Sequence, residues 1–171
     1  MSSPRASKTS AVRKMSAIER LVDYLLEGQL RIVKAGEVFH HGGFYGSGHT
    51  FTGHSWFAKR RSYAAGYALW GADAAASRGQ LGCLVDFEVN VDFHLLEMPG
   101  NHVERLQEVY GGLWHHSILA KDLAAHISKA NLSAIGITIS GLDDHLILGF
   151  ERVLKKINLV DDAATIRGIK G

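Results

Sequence analysis

Cysteine is scarce in this chain: only one occurs among its 171 residues, so no intrachain disulfide can form. Cys83 lies inside the apolar run LGCLVDFEV, where a buried and inert thiol is more common than a nucleophile. This cysteine usage is compatible with a reducing cytosol.

Acidic residues are absent from the first 14 residues, MSSPRASKTSAVRK, which carry four basic side chains. The rest of the chain holds 15 basic and 17 acidic residues, so the net charge of +2 conceals a slightly acidic body. A broad basic surface for nucleic-acid phosphates is therefore not expected. Because the basic segment also lacks an apolar stretch, we do not expect it to be a secretory signal or a membrane span. We predict a disordered basic Ser-rich leader over 1–15, with an unconventional secretion or targeting signal as the alternative, and a single domain over 16–171.

Metal-binding motifs are also missing, although the chain has ten histidines. It contains no His-x-x-x-His helix motif and no Cys-x-x-Cys pair. Neighbouring residues on a strand point to opposite faces, so the adjacent His40 and His41 are poorly placed to share one ion. We therefore expect no metal site.

Nucleotide-binding glycine motifs are missing as well. The stretch HGGFYGSG has neither the P-loop pattern nor the dinucleotide fingerprint between a strand and a helix. Its glycines would instead let the backbone approach a ligand closely, so that N–H and C=O groups of Gly42 and Gly43 could meet a planar amide.

What the chain does contain is a mixture of helical and strand patterns without regular βαβ alternation, which predicts an α+β domain. Helices are predicted over 16–28, 59–76, 101–110 and 117–131. Strands are predicted at 37–41 and 54–58, twice within 81–98, and at 133–140 and 144–150. Residues 42–53 are predicted to be a loop, and 151–160 are ambiguous between helix and strand.

Three aromatic residues, Tyr63, Tyr67 and Trp70, form one stripe of the helix predicted over 59–76. Such a stripe is most often part of a core, but here it follows two strands that end in HHG and WFA. The preceding basic run, 59–61, is either a solvated helix start or a set of cations near a bound anion or an acceptor.

This arrangement resembles the ADP-ribosyltransferase superfamily, in its poly(ADP-ribose) polymerase-like or diphtheria-toxin-like branch. That family has a strand ending in His-Gly, a strand of the form Gly-x-Tyr-Phe-Ala, and a helix with a tyrosine nine residues after the Ala. FHHGG supplies His41 and Gly42, GHSWFA supplies Trp56 and Ala58, and Tyr67 lies nine residues after Ala58.

The third family element is an acidic residue that opens a late strand. GLDDHLILGF matches it with Asp144, and the neighbouring Asp143 is the alternative acid. The resemblance implies a split, mainly antiparallel β-sheet core with flanking helices. His145 is expected to point away from Asp144 and to be structural.

The resemblance further implies that NAD is the substrate and that its nicotinamide–ribose bond is cleaved. His41 would bind the adenosine ribose, Gly42 the carboxamide, and Tyr67 and Trp56 the two faces of the nicotinamide ring, while Asp144 would stabilise the oxocarbenium ion. The residues expected to contact NAD are His41, Gly42, Gly43, Trp56, Ala58, Tyr63 and Tyr67. The expected catalytic residues are His41, Trp56 and Asp144.

Three departures loosen the match with the family and narrow the expected activity. His54 lies at the family's glycine position, with Gly53 one residue early, Trp56 replaces a tyrosine, and Asp144 replaces the glutamate of chain-elongating polymerases. The Glu-x-Glu or Gln-x-Glu signature of arginine-modifying relatives is also absent. The resemblance therefore implies a mono-ADP-ribosyltransferase that acts on an unknown protein or nucleic-acid acceptor, without a membrane partner. A small single-domain form would suit a bacterial or phage toxin or effector with an antitoxin or immunity protein, acting in the cytoplasm or delivered into a target cell. An NAD glycohydrolase, or an inactive module that binds NAD, ADP-ribose or a protein, is the alternative.

Overall fold

The structure is a computed structural model, and it describes residues 17–45, 54–76, 81–98, 104, 107–108, 123–127, 133–139 and 141–171. The predicted leader, residues 46–53 of the predicted loop, and most of the helices predicted over 101–110 and 117–131 lie outside the described residues. Residues 104, 107–108 and 123–127 are helical, as predicted.

The three helices with defined bounds are α1 (Ala17–Leu26), α2 (Arg61–Ala76) and α3 (Ala163–Lys170). In α1, Leu21, Tyr24 and Leu25 recur at helical spacing and are almost fully buried. The first two helices confirm the predictions for their segments. Helix α3 was not predicted; the Asp162 carboxylate caps it by accepting a hydrogen bond from the Thr165 N–H at 2.7 Å.

The described strands form two sheets. The five-stranded sheet has the order β1-β5-β6-β7-β3 and the three-stranded sheet the order β2-β4-β8. All pairs are antiparallel except β5 with β6. The strands are β1 (Gln29–Val33), β2 (Val38–Tyr45), β3 (His54–Phe57), β4 (Leu81–Val89), β5 (Phe93–Met98), β6 (Gly136–Ile139), β7 (Asp144–Leu148) and β8 (Leu154–Val160). This arrangement confirms the predicted α+β class with a mainly antiparallel core and flanking helices.

Strand predictions succeeded in most places and failed in two. The loop predicted from residue 42 is wrong for residues 42–45, because β2 continues through both glycines and pairs with β4 as far as Tyr45. Strand β1 was missed; it lies at the edge of its sheet with four of its five residues exposed, so it lacks a clear pattern of alternating burial. The ambiguous segment 151–160 contains β8, preceded by a short 3-10 turn.

The two sheets meet at an aromatic core. Phe57 of the five-stranded sheet makes edge-to-face contacts with Phe87 of the other sheet and with Phe150, at ring-centroid distances of 5.5 and 5.1 Å. An isolated β-bridge also joins the sheets, because the N–H and C=O groups of His40 and Ala58 exchange two hydrogen bonds of 2.8 Å. Strands β2 and β3 are thereby held side by side, with α2 packed against β2.

Candidate active site

A cavity of about 480 Å³ lies where the two sheets join, beside α2. Seven of the eight predicted site residues line it: His41, Gly42, Trp56, Ala58, Tyr63, Tyr67 and Asp144. Among the described residues, the rest of the lining consists of His40, Phe57, Ala64 and Leu142. Residues up to 104 positions apart in sequence, from His40 to Asp144, thus share one concave surface, which is the usual form of a small-molecule site.

Gly42 is required where β2 meets α2. A Cβ atom built on Gly42 would lie 1.8 Å from the carbonyl oxygen of Ala64 and 2.8 Å from the backbone nitrogen of Ala68. Any side chain would therefore separate the helix from the strand. Gly43 lies one residue farther along β2, opposite Cys83, and is not among the described residues that line the cavity.

His41 is held in one tautomer by the neighbouring strand. Its Nδ1–H donates a hydrogen bond to the carbonyl oxygen of Trp56, because a carbonyl can only accept. Burial lowers the pKa of His41, although the bond to Trp56 acts in the opposite direction, so the ring is neutral at pH 7. In this neutral tautomer Nε2 carries a lone pair and can accept a hydrogen bond from a ligand hydroxyl.

Strand β3 contributes Trp56 and continues into Ala58. Trp56 pairs with Leu146 of β7 and is partly buried. One part of the Trp56 side chain lines the cavity, and another part packs against the hydrophobic core around α1. Ala58 is 4% exposed and lies in the bridge to His40, where a larger side chain would crowd the cavity.

Two tyrosines of α2 and one acid of β7 form a hydrogen-bonded group. The Tyr63 hydroxyl lies 3.2 and 3.3 Å from the two carboxylate oxygens of Asp144, and 3.3 Å from the Tyr67 hydroxyl. Burial and the charge of Asp144 raise the pKa of Tyr63, so its hydroxyl keeps its proton. Trp70 belongs to the same predicted stripe, but its side chain is outside the described part of the structure.

Asp143 has a different environment from Asp144. Its carboxylate accepts hydrogen bonds from the backbone N–H groups of Lys59 at 2.9 Å and Arg60 at 2.6 Å, just before α2 begins. It also accepts a bond from Nε2–H of His145 at 3.1 Å. Burial alone would raise the pKa of Asp143, but these bonds lower it below its ordinary value. Asp143 thus holds the start of α2, and it is not among the described residues that line the cavity.

His145 is 7% exposed, and its ring lies away from the cavity. Its Nδ1 accepts a hydrogen bond from the Thr138 hydroxyl at 3.1 Å, while Nε2–H binds Asp143. Burial lowers the pKa of His145, with Asp143 acting in the opposite direction. These contacts agree with the structural role that the sequence indicated.

The basic run at the start of α2 is largely engaged in ion pairs. Arg61 binds the carboxylate of Asp86 with two nitrogens, at 3.0 and 2.8 Å, and Lys59 Nζ lies 2.6 Å from Glu37. Arg60 reaches Asp143 only at 3.4 Å, and its side chain is 69% exposed. The side chains of Lys59 and Arg61 are thus paired with carboxylates, whereas that of Arg60 is largely exposed to solvent.

His40 and Leu142 are cavity residues that sequence reasoning missed. Nδ1–H of His40 donates to Asp86 at 2.7 Å, and burial would raise the pKa of Asp86 were it not for hydrogen bonds from Arg61, Asn158 and His40, which lower it. Only the pairing of β2 with β4, which sets His40 opposite Asp86, reveals this contact. No signal in the sequence singles out Leu142.

Other predictions concern features outside the cavity. Cys83 is fully buried, as predicted, and burial raises the pKa of its thiol to about 12. Among the described residues, no three His, Cys, Asp or Glu side chains are grouped so that they could hold a metal ion. None of the helices in the described ranges combines the length and apolar character needed to cross a membrane.

Comparisons with known proteins give one structural likeness. Neither the family models nor the curated proteins contain a match to this chain. Among solved structures, a chain of the crystal structure of the M. tuberculosis MbcT–MbcA toxin–antitoxin complex is similar, with a TM-score of 0.60 and 14% sequence identity. The likeness covers 91% of this chain and 99% of that chain. At this identity it establishes that the two chains share a fold, which in the solved structure belongs to a component of a toxin–antitoxin complex.

Proposed function

We propose that this chain cleaves the nicotinamide–ribose bond of NAD and transfers ADP-ribose to a macromolecular acceptor. The observation that carries the proposal is the convergence of His41, Gly42, two aromatic residues of α2 and the carboxylate of Asp144 on one cavity. These groups come from three different elements, β2, α2 and β7, and each has a chemical use toward NAD.

The wall formed by β2 suits the ribose and the amide of NAD. Nε2 of His41 is the acceptor for a ribose hydroxyl, because the hydrogen bond with Trp56 keeps the proton on Nδ1. Gly42 has no side chain to block the backbone, so its peptide groups could meet the carboxamide. The cavity is mostly apolar around these few polar groups, which favours a flat ring over a hydrated ion.

The wall formed by α2 and β7 suits the cationic end of NAD. The faces of Tyr63 and Tyr67 carry negative quadrupolar potential, which attracts a pyridinium ring. As the bond from ribose C1′ to the nicotinamide nitrogen breaks, its electron pair leaves with neutral nicotinamide and positive charge develops on the ribose. The carboxylate of Asp144 stabilises that charge. The acceptor atom then bonds to C1′ and releases its proton to water.

The rim of the cavity favours a macromolecular acceptor over water. Tyr67 is 49% exposed and Leu142 is 39% exposed, and both line the cavity. Apolar and aromatic groups at the mouth give a protein or nucleic acid a surface on which to pack, whereas water needs none. Hydrolysis of NAD is the competing activity, since the groups around the nicotinamide would serve it equally well.

We further propose that the chain acts as a toxin and is restrained by a partner protein. The support is the shared fold with a chain from a complex that is described as toxin–antitoxin. An enzyme that consumes NAD or modifies essential macromolecules would arrest growth. Inducible expression of the wild type should therefore stop growth of a bacterial host, while expression of Asp144→Ala should not. Equal growth with both chains would contradict a toxic role.

The decisive experiment is nicotinamide release from NAD by the purified protein, with and without cell lysate. Removal of one preorganised charge-stabilising group typically lowers the rate about a hundredfold to a thousandfold, and we expect this loss for Asp144→Ala. Asp161→Ala is the matched control, because Asp161 is exposed and is not among the described residues that line the cavity.

The outcomes separate the three candidate functions. Labelled ADP-ribose attached to a lysate component supports transfer. Nicotinamide release at the same rate without lysate, and without any labelled product, supports an NAD glycohydrolase. No release under either condition, from a protein that still binds NAD, supports a non-catalytic binding module and refutes the proposed reaction.

A further inference from the structure

The hydrogen bonds around Tyr63 have a defined direction. An ionised carboxylate can only accept, so the single hydroxyl hydrogen of Tyr63 points toward Asp144, whose two oxygens lie 3.2 and 3.3 Å away. The Tyr63 oxygen then has only lone pairs left for Tyr67, so Tyr67 is the donor in their 3.3 Å contact. The three groups form a relay in which Tyr67 donates to Tyr63 and Tyr63 donates to Asp144.

The fold holds this relay from two sides. Tyr63 and Tyr67 are one helical turn apart on α2, and their rings meet edge to face with centroids 5.4 Å apart. Asp144 is the first residue of β7 and pairs with Ile139 of β6, so its backbone is fixed by the sheet. The relay therefore connects a helix to a sheet across the cavity, and the position of Tyr63 limits the rotation of the Asp144 carboxylate.

We propose that Tyr63 is a positioning residue for Asp144 in the NAD cleavage proposed above, on which this inference rests. The Tyr63 hydroxyl lies almost equally far from the two carboxylate oxygens, at 3.2 and 3.3 Å, so its hydrogen bond fixes the orientation of the carboxylate. In this orientation Asp144 lines the cavity, where it can approach a ribose hydroxyl and the developing charge. Because each donor polarises the next, the hydrogen bond from Tyr67 strengthens the one from Tyr63.

The variant Tyr63→Phe tests this role because it keeps the ring and removes only the hydroxyl. Loss of a hydrogen bond to a charged group corresponds to about a tenfold to hundredfold change, and we expect kcat for nicotinamide release to fall by this factor. KM should change little, since the aromatic face that contacts the ring remains. Tyr24→Phe is the matched control: Tyr24 is buried in the core around α1, and its substitution should leave kcat unchanged.

A double-mutant cycle shows whether Tyr63 acts through Asp144. In the Asp144→Asn background, Tyr63→Phe should lower the rate by less than about twofold, because the group that it positions is already lost. If Tyr63→Phe lowers the rate by the same factor in both backgrounds, Tyr63 acts on the substrate directly and the inference is wrong.

A readout independent of catalysis separates this inference from the proposed reaction. The Tyr63 hydroxyl lies 3.2 and 3.3 Å from the two Asp144 oxygens, so the removal of that carboxylate takes away its acceptor. In NMR at neutral pH of the protein with tyrosine labelled at the ring carbon that bears the hydroxyl, the Tyr63 signal, assigned from its loss in Tyr63→Phe, should shift in Asp144→Ala and stay in place in Asp161→Ala. A Tyr63 signal that is unchanged in Asp144→Ala refutes the relay. A wild type that cleaves no NAD, yet shows this difference between the two variants, refutes the reaction and leaves the relay supported.

Discussion

Replacement of Asp143 by alanine should destabilise the fold much more than replacement of its neighbour Asp144. The Asp143 carboxylate accepts hydrogen bonds from the Lys59 and Arg60 N–H groups and from His145, whereas Asp144 faces the cavity. The alanine variant removes all three bonds and frees the start of α2. It also leaves the buried ring nitrogen of His145 without its carboxylate acceptor.

The magnitude follows from what each donor can do after the substitution. The Arg60 N–H is exposed and can bind water instead, so its loss contributes little. The Lys59 N–H and His145 Nε2–H are partly buried, and a hydrogen bond to a charged group at such a place is worth about 1.5–3 kcal/mol. Because the bonds share one carboxylate they are not additive, and we expect a loss of about 2–4 kcal/mol in the free energy of unfolding. For Asp144→Ala we expect about 1 kcal/mol or less.

Urea unfolding followed by circular dichroism measures both values, from the midpoint and the slope of the transition. Asp143→Asn keeps one oxygen acceptor and should lie between the wild type and Asp143→Ala. Equal midpoints for Asp143→Ala and the wild type, or a lower midpoint for Asp144→Ala than for Asp143→Ala, would refute the reasoning. If folded Asp143→Ala loses NAD cleavage while Asp144→Ala retains it, the catalytic acid is Asp143.

Three further predictions concern a close backbone contact, pH and thiol reactivity. Gly42→Ala should destabilise the protein by about 1–3 kcal/mol or more because its Cβ meets helix backbone, whereas Gly66→Ala, with open space around it, should stabilise α2 by about 0.5–1 kcal/mol in the same urea assay. Burial lowers the pKa of His41 and of His145 from the ordinary 6.5, so the unfolded chain binds their protons more readily. The contribution of these two neutral histidines to the free energy of unfolding is therefore fully present above about pH 6.5 and is lost as the pH falls below that value. A urea-unfolding midpoint that rises as the pH is lowered from about 6.5 contradicts this prediction. Cys83 should not react with a thiol reagent at neutral pH until the protein is unfolded, because burial raises its pKa to about 12; rapid labelling of the native protein would contradict it.

Local patterns were sufficient to predict most elements that position the site. The i, i+4 spacing of Tyr63 and Tyr67 places both rings on one face of α2 whatever the helix packs against. Alternation in 144–150 predicts a strand in which Asp144 and His145 face opposite sides; in β7 Asp144 lines the cavity, and His145 is not among the described lining residues. Both inferences hold because the periods of a helix and a strand are properties of the backbone itself.

Other features depend on which elements become neighbours in space. Residues 42–45 have the composition of a loop, but pairing with β4 makes them a strand, and the contact with α2 requires glycine at position 42. The exposed strand β1 exists through its pairing with β5. Composition alone suggested neither of these, because the stabilising partners lie tens of residues away.

The sequence by itself determined the α+β class and the position of the aromatic stripe on one face of a helix. It also identified two adjacent acids, Asp143 and Asp144, as the candidates for the catalytic carboxylate. Only the tertiary structure decided that Asp143 holds the start of α2 while Asp144 faces the cavity with Tyr63. It also decided that Arg61 and His40 share the carboxylate of Asp86. The physical reason is that a charged side chain takes its role from the donors within about 3 Å of it, and these come from strands and helices that only long-range packing brings together.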